Sequence, residues 1–586
     1  MGARKSLATA TIAVSMIASS MGGATGKERA SLGAIPEANP KRNADGNYNI
    51  IFLITDQEHY FQEHPHGTEW EARDLLAQLG TTFEKHYACA AMSTSSRSVI
   101  YTGTHIPHTR MIDNTDFDWQ GPLSEDLATV GDMMRTAGFY TAYKGKWHMG
   151  DASILDNSGG GLNNLEPYGF SDWEVEGDYI GTMWEGWEKD PEISGDAVKW
   201  LQGTGASKNS EGTSFFLAVN LINPHDVMYY NTDKTFRGMV EVGGAPDDGL
   251  YGKTYDEDIP LSWNQDLSDG SLPPAIAAYK ERWERQTGSV NSADGWKDFR
   301  NYYFNCIQDS DNSLMNVLQA LIRLDMLDNS IIVFTSDHGE MAGTHSLKGK
   351  GGVIYEENIH VPLVICHPEH RGRRSVRAVT SHVDLAPTFV RMAGISEERK
   401  KAIIETLPGR NLMDLLDGTS ESVRQGALFC FEMISMTMAQ AARDETGNLT
   451  YTFDKNVRGF VRSAITERYK FARYFSAEFN TPRTLEEILE KNDIELYDLE
   501  NDPGETHNLA ADFQTNSALI LELNRLLNEL IAREIGKDDG SEVAEELAPY
   551  LPDPEEGACN AGIPSMEGIF LLIPLLALIP AMRSRK

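Results

Sequence analysis

Short apolar runs recur along the middle of the chain, separated by stretches with helical periodicity. The apolar runs occupy residues 50–55, 215–220 and 331–336. Runs of this length, rich in β-branched residues and apolar on both faces, are typical of buried parallel strands. Helical patterns lie between them, for example at residues 127–137 and 311–324. The alternation predicts an α/β fold with a mostly parallel central sheet and helices on both of its faces.

The pattern changes twice outside these runs. Residues 153–269 are rich in Gly, Trp and Asp, and apart from the strand at 215–220 they are predicted to form mainly long loops. After Pro408-Gly409-Arg410 the runs become those of a smaller unit, with strands at 428–431 and 471–475 and a closing helix at 517–535. We therefore predict a catalytic domain at residues 47–424 and a C-terminal α+β subdomain at residues 425–536.

Both ends of the chain are typical of targeting segments. Residues 1–26 carry Arg4 and Lys5, then an apolar stretch and small residues, which is the order of a signal peptide. A polar segment without periodicity, residues 27–46, is predicted to be a linker. Residues 537–586 form an acidic spacer and a short apolar tail with a basic end, either a sorting tail or a membrane anchor. The sequence thus predicts export to the periplasm, the cell surface or the medium, with envelope attachment through the tail.

Composition narrows the classes of partner. The chain has 586 residues and a formal net charge of −35, which argues against nucleic acid or an anionic membrane surface as a partner. An anionic substrate would need a local cluster of positive charge. The five cysteines show no CxxC spacing, so a cysteine-built zinc site is not supported, and four of them allow at most two disulfides. Oligomeric state does not follow from any of these features.

Two aspartates directly follow predicted strands. Asp56 is followed by Gln57, and Asp337 is followed by His338. Ligands of α/β sheets bind at the carboxyl ends of strands, so these four side chains are expected to meet. Carboxylate and amide oxygens suit a hard cation, which favours one Ca²⁺, while the imidazole leaves Mn²⁺ or Zn²⁺ open.

The segment from Ser93 to Gly103 carries the candidate nucleophile. Hydroxyl residues followed by an amphipathic turn predict a helix N-terminus, where free backbone N–H groups favour an anion. Arg97 lies one turn further on, where a guanidinium could bind a tetrahedral oxyanion in a bidentate manner.

This segment resembles the sulfatase signature, which is Cys or Ser, any residue, Pro, Ser, Arg, four residues and Thr-Gly. Further stretches agree with the family in order and spacing, and the similarity runs from about Tyr48 to Ala510. These stretches lie at residues 49–57, 145–150, 223–226, 336–340, 349–357, 382–388 and 495–505. The chain thus resembles the sulfatases of the alkaline-phosphatase superfamily.

The resemblance implies an alkaline-phosphatase-like fold, one divalent metal ion and hydrolysis of a sulfate ester in a small sulfated molecule or a sulfated glycan. The metal ligands that it implies are Asp56, Gln57, Asp337, His338 and Ser93. The catalytic residues that it implies are Ser93, Arg97, Lys146, His148, His225 and Lys350.

The signature departs from the family at its proline. Sulfatases use formylglycine made by oxidation of the signature Cys or Ser; here that residue is Ser93, and Ser95 replaces the signature proline. Oxidation of Ser93 would give a sulfatase. An unmodified serine would favour a phosphomonoester, phosphodiester or phosphonate monoester hydrolase, because a serine phosphate ester can be hydrolysed at a metal site. A catalytically inactive, anion-binding surface protein is the remaining alternative.

Overall fold

The apolar runs form the innermost strands of a central sheet. The strands are β1 (Asn49–Asp56), β2 (Thr81–Phe83), β3 (His86–Tyr87), β4 (Tyr140–Gly145), β5 (Phe215–Pro224), β6 (Ser330–Ser336), β7 (Leu363–Cys366), β8 (Arg374–Val376), β9 (Thr380–Ser381), β10 (Ala427–Glu432), β11 (Ala439–Arg443), β12 (Leu449–Phe453), β13 (Phe460–Ile465), β14 (Tyr469–Phe475) and β15 (Asp493–Asp498). The helices are α1 (Glu71–Leu79), α2 (Ser93–Thr102), α3 (Ile106–Thr109), α4 (Val130–Thr136), α5 (Glu185–Trp200), α6 (Ala206–Glu211), α7 (Pro274–Thr287), α8 (Ala293–Arg323), α9 (Glu356–Ile359), α10 (Leu385–Met392), α11 (Glu397–Ile404), α12 (Met413–Leu416), α13 (Leu485–Lys491) and α14 (Phe513–Glu534).

This computed structural model describes part of the chain. The described residues are 38–540, without residues 118, 151–164, 174, 176, 234–235, 237–239, 269, 444–448, 455, 478–479 and 539. The predicted signal peptide, most of the predicted linker and the apolar tail lie outside the described residues. The described end of the linker segment contacts the chain at the start of β5, since the Asp45 carboxylate accepts hydrogen bonds from the backbone and the hydroxyl of Ser214. Within the described chain, no helix is long and apolar enough to cross a membrane.

The central sheet has seven strands in the order β4–β5–β1–β6–β7–β2–β8. Strands β4, β5, β1 and β6 run parallel, as the continuous apolar runs predicted. Strand β7 is antiparallel to both of its neighbours, and β8 pairs in parallel with β2 at the edge. The predicted mostly parallel sheet is confirmed, and a short antiparallel strand extends it on one side.

Alternate residues of β1 enter different cores on the two faces of the sheet. Ile50 and Phe52 pack in the core that contains residues of α2, α4 and α10. Ile51 and Leu53 pack in the core that contains residues of α1, α5 and α8. Every residue of β1 is buried, because helices cover both faces. This arrangement leaves the strand ends as the edge where polar side chains can gather.

The loop prediction for residues 153–269 is wrong over α5. This 16-residue helix contains Pro191 and two glycines, which are helix-breaking signals in the sequence. Its buried residues Ile193, Ala197 and Trp200 pack in the core that covers one face of the sheet. Tertiary packing therefore outweighs the local propensity here.

The C-terminal subdomain is an antiparallel sheet in the order β10–β13–β14–β15, with α13 and α14 alongside. Leu523 and Leu527 of α14 share one core with Leu428 of β10, as the sequence predicted for a small α+β unit. The cysteines of the described chain, Cys89, Cys306, Cys366 and Cys430, are buried and free, so the sheets are not joined by disulfides there.

A buried ion-pair cluster joins the C-terminal helix to the rest of the fold. The Arg424 guanidinium donates to Asp384, at a distance of 3.0 Å from Nε to Oδ2, and approaches Glu534 of α14 at 3.3 Å. His105 also contacts Glu534, at 3.1 Å. All of these side chains are almost fully buried, so each charge depends on its partners.

We expect Arg424→Met to lower the free energy of unfolding by about 3–5 kcal/mol, because it leaves Asp384 buried without its cation and removes one of the two arginines that pair with Glu534. Chemical denaturation followed by fluorescence measures this loss. The matched control is Arg468→Met, which removes an exposed ion pair with Asp498 and is expected to leave the denaturation midpoint almost unchanged. Equal midpoints for Arg424→Met and the unsubstituted protein would show that the cluster does not hold α14 in place.

Candidate active site

Two neighbouring parallel strands bring the aspartates together. Thr55 of β1 is in register with Ser336 of β6, so the residues that follow, Asp56 and Asp337, lie side by side. His338 comes next, and ligand atoms of Asp56, Asp337 and His338 all lie within 4.8 Å of one another. All three side chains are fully buried. The sequence prediction that these strand ends meet is therefore correct.

Buried carboxylates this close together repel each other unless cations surround them. Burial and the charge of Asp56 raise the pKa of Asp337 to about 7, against the lowering effect of Arg97. Burial also disfavours the charged form of Asp56, but Lys146 and Lys350 hold the pKa of Asp56 well below its usual range. The site thus combines two buried acids with several buried cations.

Ser93 is the first residue of α2 and lies at the centre of this group. Its Oγ is 3.1 Å from His338 Nε2, 3.2 Å from Lys350 Nζ and 3.4 Å from Asp56 Oδ1. His338 Nδ1 lies 3.1 Å from the carbonyl oxygen of Gly339, which only accepts, so Nδ1 carries the hydrogen and Nε2 has a free lone pair. A hydroxyl at position 93 therefore faces a lone pair, a carboxylate and a cation.

Arg97 contacts both carboxylates. Its Nε donates to Asp337 Oδ2 at 3.0 Å and its Nη2 to Asp56 Oδ2 at 3.2 Å. The remaining nitrogen, Nη1, donates to the Asn220 side chain and to the carbonyl oxygen of Lys146. The bidentate contact with an oxyanion that the sequence suggested is not available in this arrangement, because the guanidinium nitrogens hold protein oxygens. Arg97 orients the two carboxylates and adds positive charge.

Two buried lysines supply the remaining cations. Lys146 Nζ lies 2.9 Å from Asp56 Oδ2, and Lys350 Nζ donates to Gln57 Oε1 at 2.8 Å. Burial lowers the pKa of Lys350 to about 8, while the neighbouring Asp56 opposes the shift. Both side chains are almost fully buried. Unlike most lysines of an acidic protein, they are turned inward, where they can offset the charge of an anion.

The loop that carries Lys350 is held by α7 and by the C-terminal subdomain. Trp283 Nε1 of α7 donates to the carbonyl oxygen of Lys350 at 3.1 Å. Gly351 and Gly352 lie against methionines that follow β10: a Cβ at Gly351 would come within 2.2 Å of Met436 Cε. Tyr355 OH donates to Glu495 of β15 at 3.1 Å. The smaller subdomain therefore positions one of the cations of the candidate active site.

His148 is fixed by acids that the sequence analysis did not select. Its Nε2 is 2.9 Å from Asp116 Oδ1, and its backbone N–H donates to Asp178 at 2.6 Å. Its Nδ1 is buried and has no hydrogen-bond partner among the described residues. Burial lowers the pKa of His148, while Asp116 acts in the opposite direction. The carboxylate of Asp116 thus orients the ring and supports its protonated form.

His225 approaches the site from the end of β5. Burial, Lys350 and Lys146 hold its pKa well below the usual value, so the ring is neutral. Gly181 packs directly on the ring: its φ is +85°, and a Cβ there would lie 2.5 Å from His225 Cε1. The Nδ1 atom of His225 has no partner in the described part of the chain. All of the residues predicted from the sequence are therefore gathered around Ser93.

Two residues of the site were not predicted, although the sequence pattern pointed to them. Asn220 ends the apolar run of β5, and Glu340 follows Asp337-His338-Gly339, where its carboxylate accepts from Gln57 Nε2 at 2.5 Å. Polar residues at strand ends are the pattern that selected Asp56. Asp116 and Asp178 come from irregular segments without such a pattern. Their positions follow only from the tertiary fold.

The donor set fits a divalent cation. Ca²⁺ binds oxygen ligands at about 2.3–2.6 Å, so atoms on opposite sides of one ion lie up to about 5 Å apart. The 4.8 Å spread of the Asp56, Asp337 and His338 ligand atoms matches this size. Gln57 Oε1 and Ser93 Oγ are linked to the same group through Lys350. Asp56, Gln57, Ser93, Asp337 and His338 are therefore the residues that would hold a metal ion.

The site combines a serine at a helix N-terminus, inward-facing cations and two carboxylates that could hold a metal ion, at the carboxyl edge of a parallel sheet. This combination is typical of a hydrolase for an anionic ester. The family model described as Sulfatase matches residues 48–395, and the chain belongs to the sulfatase family. It is thus a sulfuric ester hydrolase. A second model, described as N-sulphoglucosamine sulphohydrolase, C-terminal, matches residues 343–533.

Relatives match most of the chain at low identity. It is 25% identical over 502 residues to uncharacterized sulfatase YidJ of Escherichia coli (strain K12), covering 80% of this chain and 84% of that protein. It is 25% identical over 508 residues to Delta 4,5-hexuronate-2-O-sulfatase of Bacteroides thetaiotaomicron, covering 84% and 89%. The solved phosphonate monoester hydrolase of Silicibacter pomeroyi has a TM-score of 0.61 at 19% identity, covering 83% of this chain and 96% of that one. At this identity the structural likeness shows the fold alone.

We expect Asp116→Asn to lower kcat for an aryl sulfate by about tenfold to a hundredfold, because a neutral amide holds the His148 ring less firmly and no longer favours its protonated form. Steady-state kinetics with 4-nitrophenyl sulfate measures the effect, and thermal unfolding checks that the fold is intact. The control is Asp126→Asn, which alters an exposed aspartate of a nearby loop. An Asp116→Asn enzyme as active as the control would show that the contact with His148 has no catalytic role.

Proposed function

We propose that this sulfuric ester hydrolase is an exported, metal-dependent enzyme that acts on sulfated saccharides through formylglycine at position 93. The observation that carries the proposal is the position of Ser93, with its Oγ 3.2 Å from Lys350 Nζ and 3.1 Å from His338 Nε2. A group at this position contacts the candidate metal ligands and the cations at once. That is the place where an anionic ester must be attacked.

Turnover of a sulfate ester favours formylglycine over serine. The hydrated aldehyde carries two hydroxyls. One attacks the sulfur, the bond from sulfur to the leaving alcohol oxygen breaks, and that oxygen takes a proton. The second hydroxyl then loses its proton, the carbon–oxygen bond to sulfate breaks, and the aldehyde forms again. A serine sulfate ester has no second hydroxyl, so it would trap the enzyme.

The residues around position 93 support these steps. Lys146 and Lys350 offset the negative charge that builds on the sulfuryl oxygens. The buried Nδ1 atoms of His148 and His225, which have no partners among the described residues, are available for the proton transfers. A divalent cation, with Ca²⁺ favoured by the mainly oxygen ligands, would add Lewis-acid charge at the same place. Arg97 keeps both carboxylates oriented toward that cation.

The substrate and the location are further parts of the proposal. Relatives described as N-acetylglucosamine-6-O-sulfatase and Delta 4,5-hexuronate-2-O-sulfatase support a sulfated saccharide as substrate. The export signal read in residues 1–26 supports activity outside the cytoplasm, where such polymers are encountered. Near the site, Trp184 and Trp187 are only partly buried, whereas Trp173 is fully buried and donates to a backbone carbonyl. The first two are therefore the tryptophans that a sugar could reach.

A second function is favoured by one observation, the serine at position 93 together with Ser95, which replaces the proline of the signature. If Ser93 remains a serine, Lys350 and a metal ion would activate its hydroxyl directly. The enzyme would then hydrolyse a phosphate or phosphonate monoester. The likeness in fold to a phosphonate monoester hydrolase is compatible with this chemistry.

Mass spectrometry of the peptide that contains residue 93 separates these functions. We expect a mass about two units below that of serine, as formylglycine requires. We also expect hydrolysis of 4-nitrophenyl sulfate to exceed that of 4-nitrophenyl phosphate, and Ser93→Ala to abolish it, while the exposed Ser124→Ala control retains activity. An unmodified serine with phosphoester turnover alone would replace the proposal with the second function. No turnover of either ester would leave an anion-binding protein.

A further inference from the structure

A cavity is lined by the segment that directly follows Gln57 in the chain. It has a volume of about 790 Å³ and is bounded by residues 58–68, by α1 and by the edge strand β8. Phe334 and Val364 of the central sheet line its floor. None of the catalytic residues described above lines it. The volume lies in the range of about 300–1,000 Å³ that is typical of small-ligand sites.

Most of the charges that line this cavity are paired within the protein. Arg73 forms buried ion pairs with Glu58, at 2.5 Å, and with Asp311, at 2.9 Å. His64 Nδ1 lies 3.5 Å from Asp74 Oδ1. Glu84 Oε2 lies 3.9 Å from Nε of Arg377, the residue that follows β8. One arginine faces two carboxylates here, so these groups leave a net negative charge, and their cations are already engaged.

The charges that remain are mainly positive. Arg373 and Arg374 line the cavity from the edge of the sheet, are exposed, and form no side-chain hydrogen bond or ion pair with described residues. Glu63 is the remaining acid of the lining that forms no such contact in the described chain. Two adjacent free guanidiniums are notable in a chain with a net charge of −35. They offer forked donors that match a carboxylate.

The cavity wall also offers aromatic surface. Trp70 lines the cavity but is only 1% exposed. Tyr60 and Phe61 line the same cavity. Free donors beside aromatic rings are the composition of a site for a polar ring that carries acceptors.

We propose that this cavity binds a carboxylate-bearing sugar unit, with Arg373 and Arg374 on the carboxylate and Tyr60 and Phe61 beside the sugar ring. Residues 58–63 connect it to Gln57, and six residues span at most about 21 Å, so the cavity lies within that distance of the candidate metal site. It is an additional saccharide site beside the catalytic one. Only the idea that the sugar belongs to the enzyme's own substrate rests on the proposed function.

The test uses a hyaluronan hexasaccharide, which carries carboxylates but no sulfate ester and therefore does not compete for sulfate hydrolysis. Calorimetric titration of the full chain is expected to give saturable binding. Arg373→Ala/Arg374→Ala is expected to weaken it by about tenfold, the loss for two exposed charge contacts. The control is Lys199→Ala/Lys401→Ala, which removes the same charge from exposed lysines elsewhere. Hydrolysis of 4-nitrophenyl sulfate is expected to stay unchanged in both double variants.

Several results would overturn the proposal. These are no binding of the hexasaccharide to the unsubstituted protein, equal binding by the arginine variant, or an equal loss in both double variants, which would be an effect of net charge alone. Binding of neutral chitohexaose with the same affinity would also contradict recognition of the carboxylate. If the unsubstituted protein has no arylsulfatase activity, that result counts against the proposed function and not against the saccharide site. The two failures are therefore distinguishable.

Discussion

The site depends on the proximity of two carboxylates that cannot be buried together without compensation. Asp56 and Asp337 follow adjacent parallel strands, so the sheet register itself forces them side by side. Burial makes their repulsion strong, and Arg97, Lys146 and Lys350 lie within ion-pair distance of them. The cations that neutralise the pair are also those that an anionic ester needs. The charges that stabilise the buried pair are thus the same ones that the candidate active site offers to an anion.

The C-terminal subdomain is part of this arrangement. The Lys350 loop packs against Met433 and Met436 after β10, and Glu495 of β15 holds the tyrosine that ends the loop. The buried cluster around Arg424 fixes α14 on the catalytic part. A cation supplied by a loop is only as well placed as the surfaces that hold it, so the antiparallel sheet helps to fix a cation of the candidate active site.

The sequence predicted the strand ends well and the loops poorly, for a physical reason. Buried parallel strands require continuous apolar runs, and the polar residue after each run must lie at the ligand-binding edge, so Asp56 and Asp337 could be selected directly. Asp116 comes from an irregular segment, and α5 contains Pro191 and glycines, so local pattern gave no signal. Likewise, the guanidinium of Arg97 could be assigned to the site but not to its partners, because these come from strands distant in sequence.

The two buried carboxylates are expected to form a metal site beside position 93. Anomalous diffraction from crystals grown with Mn²⁺ tests it most directly, because the signal locates the ion without any assumption about activity. The account predicts one peak within about 2.5 Å of oxygens of Asp56 and Asp337 and of His338 Nε2. A peak elsewhere with none between these side chains, while Arg97 still holds both carboxylates, would contradict it.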